Sequence, residues 1–136
     1  MDEVLLSKAT TIERCLRRIM QEYKSCPELD DHTHVDALIL NLERAAQSVI
    51  DMAMRVISKR GLGLPRNSRA AFDLLFEAGI IDSRLRDNLK GMVGFRNIVV
   101  HDYQSIDSAI VRTVIEKGPS DLVSFCKTLG LTISAP

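Results

Sequence analysis

The chain has 136 residues, 46% of them hydrophobic and 4% aromatic, and its 18 basic side chains are matched by 18 acidic ones. Zero formal charge excludes a protein that grips long nucleic acid mainly through a basic surface, because that affinity follows the number of phosphates neutralised. A local phosphate site stays compatible with neutrality, and the length suits one domain spanning 1–136.

With four Phe, two Tyr and no Trp, the core must rest on Leu, Ile, Val, Met and Ala, residues that suit helix–helix packing. Cys15, Cys26 and Cys126 are odd in number and form no CxxC pair, so reduced thiols of an intracellular protein are expected. The opening Met-Asp-Glu-Val-Leu-Leu lacks the basic start and long apolar core of a signal peptide. No apolar run approaches the ~20 residues of a membrane span. These features predict a soluble, cytoplasmic chain with no membrane segment.

Apolar side chains at helical spacing (Leu5, Ile12, Leu16, Ile19, Tyr23) predict a first helix over about residues 2–25. Asp2 and Glu3 at its start and Lys24 at its end suit the helix dipole. Cys26 to Asp31, with Pro27, reads as a loop. A second, longer helix follows over about 33–60, with a one-sided stripe from Val35 through Leu42 and Val49 to Ile57. Thr33 with Asp36 three residues on resembles a capping box, and Lys59-Arg60-Gly61 supplies a basic last turn and a glycine cap. His32 and His34, spaced i,i+2 at this junction, lack a third ligand, so no metal site is expected.

Gly61 to Asn67 is a connector, and a short helix from Ser68 to about Ala78 is ended by Gly79. Asp82 or Ser83 opens the next, which carries Leu85, Leu89, Met92, Val93 and Phe95. The last helical region runs from Asp107 to about Leu129, interrupted by Gly118-Pro119. Proline inside a helix removes a hydrogen bond and costs ~3 kcal/mol. A kink or split is therefore expected there, with Pro119 opening a new helix. No alternating run is long enough to found a sheet. The predicted fold is an all-α antiparallel bundle of five helices.

The richest chemistry lies in Arg96-Asn97-Ile98-Val99-Val100-His101-Asp102-Tyr103. Arginine offers a planar fork of donors matched to phosphate oxygens. Histidine exchanges a proton near neutral pH, and tyrosine carries a hydroxyl that donates, accepts or is modified. On a regular helix, positions five apart differ by about 140° and positions seven apart by about 20°. Arg96 and Tyr103 would share a face, as would Asn97 and His101, but Arg96 and His101 would diverge. Either the helix ends between them or His101 works with groups from elsewhere. The motif is expected to cross a helix end and a short turn.

Asn97 is a candidate for binding phosphate or fixing that turn. Asp102 and Asp51 are candidate supporting carboxylates, set against plainer roles as a cap and an exposed helix face. Gly94, with Gly91 one turn earlier, marks a close approach by another backbone or a ligand, since glycine inside a helix costs ~1 kcal/mol relative to alanine. Lys59, Arg60, Arg66 and Arg69 are candidates to guide a phosphate-bearing ligand or to meet an acidic partner.

The stretch Gly94-Phe95-Arg96-Asn97-Ile98-Val99-Val100-His101-Asp102-Tyr103 resembles the Arg-x4-His-x-Tyr motif of HEPN-domain proteins, in the form found in the HepT toxin family. Leu40-Asn41-Leu42-Glu43-Arg44, Gly63-Leu64-Pro65 with Ser68-Arg69, and Asp87-Asn88-Leu89-Lys90 extend the resemblance over most of the chain. It implies a bundle that dimerises and places two copies of the motif in a shared cleft. It further implies the toxin of a type VII-like toxin–antitoxin pair, cleaving RNA without metal or cofactor, with Arg96 and His101 at the catalytic positions. The partner implied is an MntA-like minimal nucleotidyltransferase, which silences the toxin by attaching AMP to Tyr103. The alternative is a non-catalytic helical module that binds nucleotide or RNA and acts through that nucleotidyltransferase. Gly118-Pro119 departs from the family's uninterrupted last helix.

Overall fold

The computed structural model describes residues 2–135. Five α-helices follow in order: α1 (Glu3–Ser25), α2 (His32–Arg60), α3 (Ser68–Glu77), α4 (Ser83–His101) and α5 (Ser108–Thr128), with a 3₁₀ turn (Tyr103–Ser105) between the last two. Among the described residues there is no strand. No helix is long and apolar enough to cross a membrane.

The helix starts are set locally. The Asp2 carboxylate accepts from the N–H groups of Val4 and Leu5 at 2.9 and 3.1 Å, and Asn67, Asp82 and Asp107 cap α3, α4 and α5 in the same way. Each satisfies donors that the first helical turn leaves free. The capping box expected at Thr33 and Asp36 is corrected. Asp31 is the cap of α2, accepting from Thr33 N–H at 2.9 Å, and Asp36 is left for a longer-range partner. Gly61 closes α2 in the left-handed conformation (φ 63°), which glycine adopts without steric cost.

Contacts at the helix ends show the antiparallel order. Asp2, at the start of α1, meets Arg55 and Lys59 at the end of α2. Arg112, early in α5, donates to the Tyr23 hydroxyl and the Pro27 carbonyl beside the end of α1. Lys90 of α4 donates to both oxygens of Asp73 on α3 at 3.0 Å. One contiguous core takes side chains from every helix, among them Leu16, Leu38, Met52, Phe72, Leu89 and Phe125. Burying a large apolar side chain contributes roughly 1.5–3 kcal/mol. Phe72 and Phe125 meet edge to face, their ring centres 6.1 Å apart, which joins α3 and α5 through the core.

Of the kink or split expected at Gly118-Pro119, the split with a new helix at Pro119 is corrected, because α5 runs as one element through Pro119. Its buried positions, Val111, Ile115, Gly118, Leu122, Phe125 and Cys126, keep one helical phase on both sides of the proline. Breaking the helix would misalign the two halves of that stripe, so packing outweighs the lost hydrogen bond. Gly118 lies where α5 approaches α4. A Cβ there would stand 3.1 Å from Met92 Cε, which explains a glycine beside the proline.

At the opposite end of α1, His34 Nδ1–H donates to Glu22 and ties α2 to α1. The hydrogen bond to Glu22 raises the His34 pKa above its ordinary value, against a smaller opposing effect of burial. A raised folded-state value means that the bond stabilises fully below the unfolded value of ~6.5 and fades as pH rises through the folded one. Thermal melts of wild type and His34→Gln should therefore differ at pH 5.5 and converge by pH 9. Parallel curves across that range would exclude a stabilising role for this pair.

Candidate functional site

The motif crosses a helix end and a short turn, as its sequence predicts. The helix ends after His101, not between Arg96 and His101. Asp102 N–H still donates to the Ile98 carbonyl at 2.8 Å, and Asp102 then leaves the helix at φ −154°. Ser105 Oγ donates to the Asp102 carboxylate and closes the 3₁₀ turn. Asp102 thus ends α4 and begins this turn.

With both residues on α4, Arg96 and His101 stand about 140° apart around the helix. The motif side chains therefore open onto two clefts. Asn97 and His101, one turn apart, line a cleft of about 390 Å³ with Asn67, Ser68 and Arg69 from the connector and the start of α3. Val99 and Tyr103, also four apart, line another of about 330 Å³ with Asp36, Ile39, Leu40 and Glu43 of α2. A third cleft, about 280 Å³ between α4 and α5, is lined by Met92, Thr113 and Asp121 among others and receives no motif side chain.

Asn97 connects the parts of the first cleft. Its Oδ1 accepts from Arg96 Nη1 at 3.1 Å, so the residue beside His101 in the cleft also steers the guanidinium. Arg96 is half-buried, and its Nε is the only buried side-chain nitrogen or oxygen among the described residues without a hydrogen-bond partner. Leaving such a donor unpaired costs about 1–3 kcal/mol. His101 is exposed at the helix terminus.

Tyr103 is 45% exposed, and its hydroxyl donates to Asp36 Oδ1, a partner 67 residues away in sequence. Burial, with the Asp36 carboxylate beside it, pushes the Tyr103 phenol up to about 12. Asp36 and Asn67 are the site residues that sequence reasoning misses. Asp36 carries only a local capping signal, and Asn67 reads as the end of a connector.

The structure does not bring Asp51 to the motif. Its Oδ1 accepts from Gln47 at 2.9 Å and its Oδ2 meets Lys8 Nζ at 2.8 Å, which engages it between α1 and α2. Of the basic candidates, Arg69 lines the His101 cleft, whereas Lys59 is held by Asp2. Cys15, Cys26 and Cys126 are free and buried. Among the described residues no three His, Cys, Asp or Glu side chains are grouped to hold a metal ion.

Gly91 and Gly94 have no close neighbour within the chain, since a Cβ at either would meet nothing within 4 Å. With Ile98 and His101 they form a stripe along α4 that is exposed at Gly91, Ile98 and His101 and half-buried at Gly94 among the described residues. Their spacings of three, four and three residues keep them on one face.

An all-α bundle thus carries an arginine and a histidine five residues apart on its fourth helix, with a tyrosine in the turn that follows. The family model described as ribonuclease HepT-like matches residues 11–129. The mRNA nuclease HepT of Shewanella oneidensis is 40% identical over 126 residues, 92% of this chain and 95% of that protein. A putative RNase of Archaeoglobus fulgidus is 27% identical over 117 residues, 83% and 88% of the two chains. Among solved structures, a toxin–antitoxin complex with AMP-PNP matches at a TM-score of 0.90 and 38% identity, covering 95% of this chain and 98% of the other. The tri-AMPylated Shewanella oneidensis HEPN toxin in complex with its MNT antitoxin matches at 0.90 and 39%, covering 96% and 98%. The chain belongs to the HepT-like ribonuclease family.

Proposed function

We propose that this protein is the toxin of a toxin–antitoxin pair, an endoribonuclease that works as a homodimer and is silenced by AMP transfer to Tyr103. The family membership carries this reading, together with Arg96, Asn97 and His101 on one helical segment beside an open cleft. RNA supplies its own nucleophile, the 2′-hydroxyl, so the enzyme has to orient the phosphate, stabilise developing charge and move protons. Arg96, with one Nη1 N–H on Asn97, keeps its remaining Nη N–H groups for a phosphate. His101 is the general acid or base, Asn97 aims the guanidinium, and Asp102 shapes the turn. No step in this scheme requires a metal.

The two diverging faces of α4 and the largely exposed Gly91–Gly94–Ile98–His101 stripe support dimerisation. A second copy packed along that stripe would bring two motifs into one cleft. The whole of 1–136 acts as one domain in the cytoplasm, in keeping with its free cysteines.

The partner is an MntA-like minimal nucleotidyltransferase. AMP on Tyr103 sets a phosphodiester and a nucleoside two residues from His101, where they exclude RNA by bulk and by charge. The test is direct. After incubation with the partner nucleotidyltransferase, magnesium and ATP, intact-mass spectra of the wild type should gain whole AMP units that map to the Tyr103 peptide. Tyr103→Phe should gain none. An unmodified Tyr103 peptide in the wild type would remove the silencing mechanism.

A further inference from the structure

We infer that Asp36 is the general base for the modification of Tyr103, taking the phenolic proton as the tyrosine oxygen attacks the nucleotide. This inference rests on the AMP-transfer reading above and assigns the base to the toxin itself, not to the enzyme that modifies it.

The geometry supplies the elements such a base requires. The hydroxyl that would attack already donates its proton to Asp36 Oδ1. Among the described residues no cation forms an ion pair with Asp36, so the carboxylate's lone pairs are not committed to a salt bridge. Tyr103 is 45% exposed, and the cleft it shares with Asp36 is open to solvent, so a nucleotide held by another protein can reach the oxygen.

A base is needed because the phenol is held in its protonated form. With its pKa pushed up to about 12, on the order of 10⁻⁵ of the hydroxyl is ionised at pH 7. In phosphoryl transfer to a hydroxyl, an aspartate that accepts the proton as the new bond forms meets the same need in protein kinases.

The step balances. The Tyr103 oxygen forms a bond to the α-phosphorus of ATP carried by the nucleotidyltransferase, and the bond from that phosphorus to pyrophosphate breaks. Pyrophosphate leaves with the electron pair. The phenolic proton passes to Asp36 Oδ1 and from there to water. Nothing is oxidised or reduced.

The experiment compares wild type, Asp36→Asn and Asp36→Glu with the partner nucleotidyltransferase, magnesium and ATP, following the first AMP addition by intact mass as partner concentration is varied. Asp36→Asn should lower the rate at saturating partner by about 10²-fold or more, with little change in the half-saturating concentration. Asp36→Glu should recover part of that rate. Installing 3-fluorotyrosine at position 103, whose phenol gives up its proton more readily, should also restore part of the rate in Asp36→Asn.

A wild-type rate in Asp36→Asn overturns the inference while leaving the AMP-transfer reading intact. A loss confined to the half-saturating concentration, or one that the fluorinated tyrosine fails to relieve, also overturns it, because Asp36 would then only hold the partner or the ring. Absence of any addition to wild-type Tyr103 overturns the AMP-transfer reading, and the inference with it.

Discussion

Replacing His101 by alanine is expected to lower single-turnover RNA cleavage in EDTA by about 10²- to 10⁴-fold, the usual contribution of a positioned general acid or base. Such a loss corresponds to roughly 3–5 kcal/mol of transition-state stabilisation. It should come without loss of fold, because His101 is exposed at the last position of α4. A side chain interacting favourably with a helix C-terminus typically contributes about 0.3–1 kcal/mol, so the melting temperature should move little. The buffer matters to the interpretation. Chelator removes contaminating metal-dependent nucleases, leaving only chemistry carried by the protein's own groups. Equal cleavage by wild type and His101→Ala would take His101 out of the mechanism and leave the non-catalytic reading of the motif.

The second large effect concerns assembly. Gly94→Arg should leave a folded protein that is monomeric and inactive. A Cβ at Gly94 meets no atom beyond its own helical turn within 4 Å among the described residues, so the first atom of the new side chain has room. The substitution also removes a helical glycine, which is worth up to ~1 kcal/mol to the isolated helix. The melting temperature of the monomer should hold or rise while the dimer is lost, a combination that general destabilisation does not produce. Activity should fall with the dimer, because on one chain Arg96 and His101 face about 140° apart and open toward different surroundings. Light scattering at several concentrations, read beside the cleavage rate, checks both parts. A Gly94→Arg protein that remains dimeric and active would move the interface away from this stripe.

These expectations differ in how far they could be read from the chain alone. The helices were legible because their signals are local. Asp2, Asp82 and Asp107 each cap a helix by accepting from an N–H two or three residues away, and periodic apolar side chains mark the buried faces. The two fold corrections arise where local rules met tertiary packing. At the start of α2 two acidic residues could both serve as cap, and Asp31 took the role while Asp36 turned to Tyr103. At Pro119 the local preference was to break the helix, but the stripe from Val111 to Cys126 buries only if α5 continues in phase.

The candidate site divides in the same way. Arg96, His101 and Tyr103 could be picked out by chemical type and spacing, since all three lie within eight residues. Asp51 reads from the sequence as a carboxylate in the middle of a helix, and only the packing of α1 against α2 assigns it to Lys8.

By itself the sequence determined the number and position of the helices, the absence of long alternating runs, and the residues able to handle a phosphate. All of these depend on neighbours a few positions apart, where periodicity and hydrogen-bond reach are encoded directly. Tertiary structure alone decided that Asn97 and His101 share a cleft with Asn67 and Arg69, and that Tyr103 meets Asp36 from 67 residues away. Contacts of that kind depend on how whole helices settle against one another in a shared core, and no short stretch of sequence specifies that geometry.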